Sequence, residues 1–349
     1  MADVAAAHPE LDLRLLTMKT RGDLAPDAPL ECGGKGFFTD ALERALTGGA
    51  IDVGVHSLKD MAIADNPELP IVGMTKRADP RDALILPPHG DAGGGEKLVD
   101  FVAAGEKKLT AEMPIGCGSR RRAIQLQALA DRLAPRDRLA SGLKIAPIRG
   151  NVPTRLAKLD RGEYGAIILA AAGLQRLNLQ RAGYYFSARE MVPAAGQGIL
   201  AMQGRRGENY HFLDAARSAA TEEVAAIERR IIRAPGGGCG LPTGALAPSR
   251  GNEINIVAMF AAADNPRSIV RDEISGDRRR GAELADTLAR RLASNGAVAI
   301  TKPSLGYGFV IATAPLLANR RELDAHWSAD LGEKLEAQRL ARKREENLP

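Results

Sequence analysis

The sequence predicts an α/β protein of more than one domain built on open, doubly wound sheets, and three observations carry that expectation. Segments with helical periodicity alternate with short apolar runs, the pattern of strand, crossover helix and parallel strand with helices on both faces. The chain has 349 residues, more than one hydrophobic core usually holds, so two or three domains are expected. Hydrophobic residues make up 45% and charged residues 26%, proportions that exclude global disorder.

Taken in order, residues 11–17 read as a strand, with a turn at Arg21-Gly22-Asp23 beyond them. Residues 37–46 carry apolar side chains at helical spacing, and 51–55 form a short strand. A second unit starts at Pro114-Ile115-Gly116, continues as a helix over 121–133 and returns as a strand near 144–148. The third unit is the clearest. It pairs a helix over Val152–Asp160, stopped by Gly162, with Ala166–Ala170 as a fully buried strand. A helix over 215–233 then leads into Ala234-Pro235-Gly236-Gly237-Gly238-Cys239-Gly240, a loop dense in breakers. A strand at 255–260 and an amphipathic helix at 282–295 outline a smaller third domain. From 303 onward the pattern gives way to a charge-rich tail.

Composition narrows the partners. A net charge of +5 suits nucleic acid, acidic lipid or a small polyanion equally. An aromatic content of 4% leaves little material for base stacking, so nucleic acid is not expected. Cys32, Cys117 and Cys239 lie far apart, giving neither metal-ligand spacing nor a disulfide framework. A reducing, cytoplasmic setting fits them. The longest apolar run, over 166–174, is too short to span a bilayer, and no membrane partner is expected.

Several short motifs could carry chemistry. Gly33-Gly34-Lys35-Gly36 precedes a helix, which suits an anion, although it departs from the phosphate-loop spacing and equally describes a turn with a solvated lysine. His56-Ser57-Leu58-Lys59-Asp60 sets a cation and a carboxylate side by side after a strand, where ligands collect in doubly wound sheets. A structural ion pair would look the same. Arg120, Arg121 and Arg122, then Arg149, Arg155 and Arg176, recur at predicted element ends. In this fold class those ends converge, and several guanidiniums there would bind a ligand with many carboxylates. Cys239 sits among glycines that let a thiol approach something bulky, so it is either a covalent anchor or a loop cysteine.

In order along the chain these residues resemble one family. His56 to Asp60 resembles its HSxKD signature, Gly33 to Phe38 its GGKGxF block, and Asp79-Pro80-Arg81-Asp82-Ala83-Leu84 its DPRDAL block. Arg149-Gly150-Asn151-Val152 with Thr154-Arg155-Leu156 is similar to RGNVxTRL, and Pro193 to Gly198 to PAxGQG. Glu228-Arg229 with Gly237-Gly238-Cys239, Pro242 and Gly244 completes a sixth block. The chain is thereby identified as a member of the hydroxymethylbilane synthases, also called porphobilinogen deaminases.

The resemblance implies three α/β domains: two doubly wound and periplasmic-binding-protein-like, with the cleft between them, and a smaller one carrying the cofactor cysteine. The borders expected are 1–95 with 190–208, then 96–189, then 209–302, with 303–349 as an extension. It implies one covalent dipyrromethane cofactor per chain on Cys239. It also implies a monomer whose substrate is porphobilinogen, four units of which join head to tail with loss of ammonia before water releases the product. Asp60 is the implied catalytic residue, a carboxylate beside pyrrole N–H groups that stabilises developing positive charge. Ser57, Lys59, Ser119, Arg121, Arg122, Arg149 and Gly150 are implied to hold the cofactor. Lys35, Arg155, Arg176 and Gln197 are implied to hold substrate, whose rings each carry an acetate and a propionate. No metal is implied.

The sequence departs from the family at some points. The family's opening strand bears an Arg-x-Ser-x-Leu-Ala element, and residues 1–10 here align with the end of the helix that follows it. The expectation is an upstream start, or a first sheet lacking one strand with a neighbouring edge unpaired. Gly118 stands where a hydroxyl residue is usual, and Gln203 where a glutamate is. A second reading is therefore a catalytically silent protein that binds tetrapyrroles or other carboxylate ligands.

Overall fold

A computed structural model describes residues 1–18, 39–88, 113–133, 144–181, 183–234, 241–262 and 268–297. Within them three sheets organise the chain. The first contains β1 (Gly54–Ser57), β2 (Ile71–Met74) and β8 (Leu200–Gln203) in the order β1-β8-β2, with β8 antiparallel to both neighbours. Helix α1 (Ala2–Ala7) sets Val4 against Met202, Tyr210 and Leu213, while α2 (Asp40–Thr47) buries Leu46 completely.

The second sheet runs β5 (Ile145–Ala146), β4 (Ile115–Gly116), β6 (Ala166–Ala170), β3 (Asp82–Ile85), β7 (Gly183–Tyr185). Strand period two sends successive side chains to opposite faces. Leu84 and Ile168 join Leu126 and Leu129 of α3 (Arg120–Leu133) in one core. Ala83, Ile85, Ile167 and Leu169 join Leu156 and Leu159 of α4 (Val152–Asp160) and Leu174 of α5 (Ala171–Arg176) in the other. Helices thus cover both faces, as a doubly wound sheet requires. Each fully buried Leu or Ile contributes about 1.5–3 kcal/mol.

In the third sheet β11 (Glu253–Ala261) is flanked by β12 (Ile269–Asp277) on one side and by β9 (Thr243–Leu246) and β10 (Ser249–Arg250) on the other, all antiparallel. Helices α6 (Ala219–Arg233) and α7 (Gly281–Leu292) bury Ile227, Ile231, Leu288 and Leu292 against Ile254, Ile256 and Phe260. Ile124 of α3 and Val192 pack on its other face beside Val257 and Met259. No helix among the described residues is long and apolar enough to cross a membrane.

Three sequence expectations need correction. Residues 11–17 form no strand, and Leu15 and Leu16 are exposed. A strand exists only through a hydrogen-bonded neighbour, which no propensity reports. The strand expected at 51–55 lies at Gly54–Ser57. The sheets are not all parallel. Parallel pairing is confined to β5-β4-β6, the strands joined by α3 and α4, while β3 enters without a described crossover helix and runs antiparallel to β6 and β7. Strand β3 lies within the span 1–95 yet pairs in the second sheet.

Candidate active site

Strand β1 delivers the first residues. It ends at Ser57 and passes into a single 3-10 turn, Leu58–Asp60. Leu58 is buried, its N–H donates to Ile199 O at 3.0 Å, and Met61 N–H returns to Leu58 O at 3.2 Å. Gly196 has φ +74°, and a Cβ there would lie 2.7 Å from the Leu58 side chain, so the close approach demands glycine. Burying Leu58 between these contacts turns Asp60 outward, where it is exposed, and leaves Lys59 half-buried.

Lys59 Nζ lies 3.4 Å from Gln197 Oε1. Burial pulls its ammonium down to about 8; Asp60 opposes that shift and Arg122 reinforces it. Two consequences of opposite benefit follow. Between about pH 8 and the ordinary lysine value near 10.4, the unfolded chain holds the proton more tightly, so stability rises with pH in that window. Carboxylate binding instead weakens as the charge is lost. Apparent affinity for a carboxylate substrate is expected to fall as pH rises through about 8, and Lys59→Arg should move that limb upward. Measuring KM from pH 7 to pH 9.5 checks this, and an unchanged profile in the arginine variant refutes it.

Behind Lys59 is a buried polar network. Asp82, the first residue of β3, is wholly buried. Its Oδ1 accepts from Arg122 Nε at 2.8 Å and from Gln197 Nε2 at 2.9 Å. Its Oδ2 lies 2.8 Å from Arg121 Nη1, but that N–H is directed to Val192 O at 2.5 Å, so Oδ2 has ion-pair contact without an aligned hydrogen bond. Burial pushes the Asp82 carboxyl up, yet the charges of Arg121 and then Arg122 outweigh it and hold the group well below the usual carboxylate range. Arg122 also donates to Ile168 O at 3.3 Å and to Gln197 Oε1 at 3.5 Å. Gln197 Nε2 reaches Pro80 O at 2.7 Å.

The RGNVxTRL block supplies further cations. Gly150 takes φ +104°, which starts the turn, and Asn151 then caps α4 by accepting from Thr154 N–H at 2.9 Å. Arg155, one turn into the helix, reaches back to Gly150 O at 2.7 Å. Burial lowers its guanidinium, as do the like charges of Arg122 and Arg149, while Asp60 partly opposes them. Arg149 makes no hydrogen bond or ion pair among the described residues. Gly118 explains one departure from the family, because a Cβ there would meet Ile148 O at 2.8 Å and Arg155 Nη1 at 3.2 Å. Ser119 O accepts from the Cys117 thiol, which burial pushes up, so this cysteine is a packed thiol and not a nucleophile. Arg176 donates to Gly198 O at 2.7 Å.

The structure therefore joins Lys59, Gln197, Arg121 and Arg122 around Asp82, and sets Arg155 within electrostatic reach of both Asp60 and Arg149. Ser57 ends β1, Ser119 directly precedes α3, Gly150 precedes the cap of α4, and Arg176 is held at Gly198 O. Lys35 and Cys239 lie outside the described residues. The sequence placed Asp82 and Glu228 in family blocks without giving either a role, and the ion pair of Arg77 with Glu228 was not foreseen. The available signal was a carboxylate directly before the apolar run Ala83-Leu84-Ile85, a place where an unpaired charge would be prohibitive.

A group of cationic side chains near one exposed carboxylate, beside a doubly wound sheet, is an arrangement suited to a protein whose ligand carries several carboxylates. The family model described as porphobilinogen deaminase, dipyromethane cofactor binding domain, matches residues 2–211. A porphobilinogen deaminase from Ruminiclostridium josui is 40% identical over 300 residues, covering 85% of this chain and 93% of its own. Another from Ruminiclostridium cellulolyticum is 41% identical over 296 residues, covering 84% and 92%. The periplasmic aliphatic sulphonate binding protein SsuA from Escherichia coli aligns over 92% of this chain and 94% of its own at 13% identity. Its TM-score of 0.32 is too low to bear on the fold. The chain belongs to the porphobilinogen deaminase family. Its residues suit the group in that family description, because the acidic side chains of a dipyrromethane could be met by Arg149, which makes no hydrogen bond or ion pair among the described residues, and by Arg155 near it.

Proposed function

We propose that the chain is a hydroxymethylbilane synthase, a transferase that condenses four porphobilinogen molecules head to tail with loss of ammonia and releases a linear tetrapyrrole by hydrolysis. The observation that carries this reading is the exposed carboxylate of Asp60 on a rigid turn, faced by the charges of Lys59 and Arg155. The dipyrromethane, when bound through a thioether to Cys239, supplies a covalently held pyrrole primer for elongation. Arg149, Arg155, Arg121, Arg122 and Lys59 would neutralise the acetates and propionates of cofactor and chain, with Arg176 and Lys35 serving incoming substrate. Asp60 would accept pyrrole N–H groups and stabilise the positive charge that develops as ammonia departs. A carboxylate already in place needs no reorganisation at that moment. The borders 1–95 with 190–208, 96–189 and 209–302 belong to the same proposal, with residues 82–85 passing into the second sheet.

Incubation with porphobilinogen, followed by oxidation, should yield uroporphyrin I, and intact mass should show an adduct of two pyrrole rings that Cys239→Ser lacks. A bare polypeptide mass with tetrapyrrole binding but no turnover would favour the silent binding protein instead.

A further inference from the structure

One buried charge beside the site, flanked by two guanidiniums, has no part in the proposed chemistry. Asp82 is fully enclosed, and its partners come from α3 and from the loop that leads into β8. Through Gln197 Oε1 the same network reaches Lys59, next to Asp60. Two guanidiniums sharing one carboxylate retain a net positive charge, enough to draw an anion while their mutual repulsion is relieved. Arg121 is held by charge and by Val192 O through Nη1 alone, and its Nε and Nη2 make no hydrogen bond among the described residues. Arg121 is buried as a whole, and that edge is the part of it not committed to a protein acceptor among the described residues.

We propose that Asp82 is a positioning residue, an internal counter-ion that holds Arg121, Arg122 and Gln197 in the arrangement that receives the ligand's carboxylates. The proposal rests on the polycarboxylate reading of the site. Asp82 touches neither substrate nor cofactor; it acts by fixing where the two guanidiniums point. Burying a carboxylate at the head of an otherwise apolar strand is costly unless its partners are present, and here those partners are the residues that would bind ligand.

The test uses the full chain with Asp82→Asn and Asp82→Ala. The asparagine keeps the shape and the Oδ1 acceptor but removes the charge, while the alanine leaves space for a formate ion. Turnover of porphobilinogen by Asp82→Asn is expected to fall about 100-fold, the scale of loss when reacting groups are misplaced by about 1 Å, with most of the loss in kcat. Sodium formate should raise both the turnover and the Tm of Asp82→Ala, whereas sodium chloride at equal ionic strength should raise neither, and wild type should respond alike to both salts. Asparagine-variant turnover within twofold of wild type would overturn the proposal, as would equal responses of the alanine variant to the two salts. If the alanine variant does not fold, the asparagine variant decides. Absence of turnover in wild type would count against the enzyme reading alone, because the formate-specific Tm rise reads the counter-ion role without turnover.

Discussion

Replacing Asp60 by alanine is expected to reduce turnover by about 100- to 1,000-fold, the range seen when one group aimed at developing charge is removed. Stability should barely change. Asp60 is exposed on its 3-10 turn and makes no hydrogen bond among the described residues, and surface substitutions of this kind stay within about 0.5 kcal/mol. Leu58 and Gly196, which set the turn, are untouched, so the variant should still carry the mass of its cofactor. Steady-state turnover, intact mass and Tm measured on one preparation separate these expectations. Full activity in a folded, loaded variant would remove Asp60 from the chemistry.

Glu228→Ala should be strongly destabilising, by about 3–5 kcal/mol, because it leaves a largely buried cation without its partner. Glu228 on α6 is wholly buried and accepts four hydrogen bonds. Two come from Arg77 at 2.5 and 3.1 Å, one from Gly196 N–H at 2.8 Å and one from Ala247 N–H at 2.9 Å. A single carboxylate thus ties the segment before β3, the 193–198 loop and the third sheet to one helix. Arg77 also donates to Gln197 O at 3.0 Å, so turnover should fall together with stability. Glu228→Gln, which keeps shape and some acceptors, should lose less. Denaturant midpoints of the three chains check the order, and an alanine variant as stable as wild type would refute it.

Legibility in the sequence followed how local each interaction is. The helix Val152–Asp160 could be read to the residue because its cap, Asn151 with Thr154, and its stop, Gly162 at φ +76°, lie within a few positions of it. The strand Ala166–Ala170 was legible because every side chain up to Leu169 had to be apolar to be buried on either face. Residues 11–17 look equally strand-like, yet pairing decides strands, and it depends on distant partners. The same division runs through the site. Lys59, Asp60, Arg149 and Arg155 stood out as charges at element ends. Asp82 did not, since its partners are 39, 40 and 115 positions away.

By itself the sequence determined the α/β class, the main helices and the family, because these rest on periodicity, capping and ordered local motifs. Only the tertiary structure decided that three sheets of mixed direction form, that Arg121 and Arg122 share one buried carboxylate, and that Glu228 clamps the loop behind Gln197. Those outcomes depend on which distant groups are desolvated together, and a buried charge is tolerated only where its partner arrives from elsewhere in the chain.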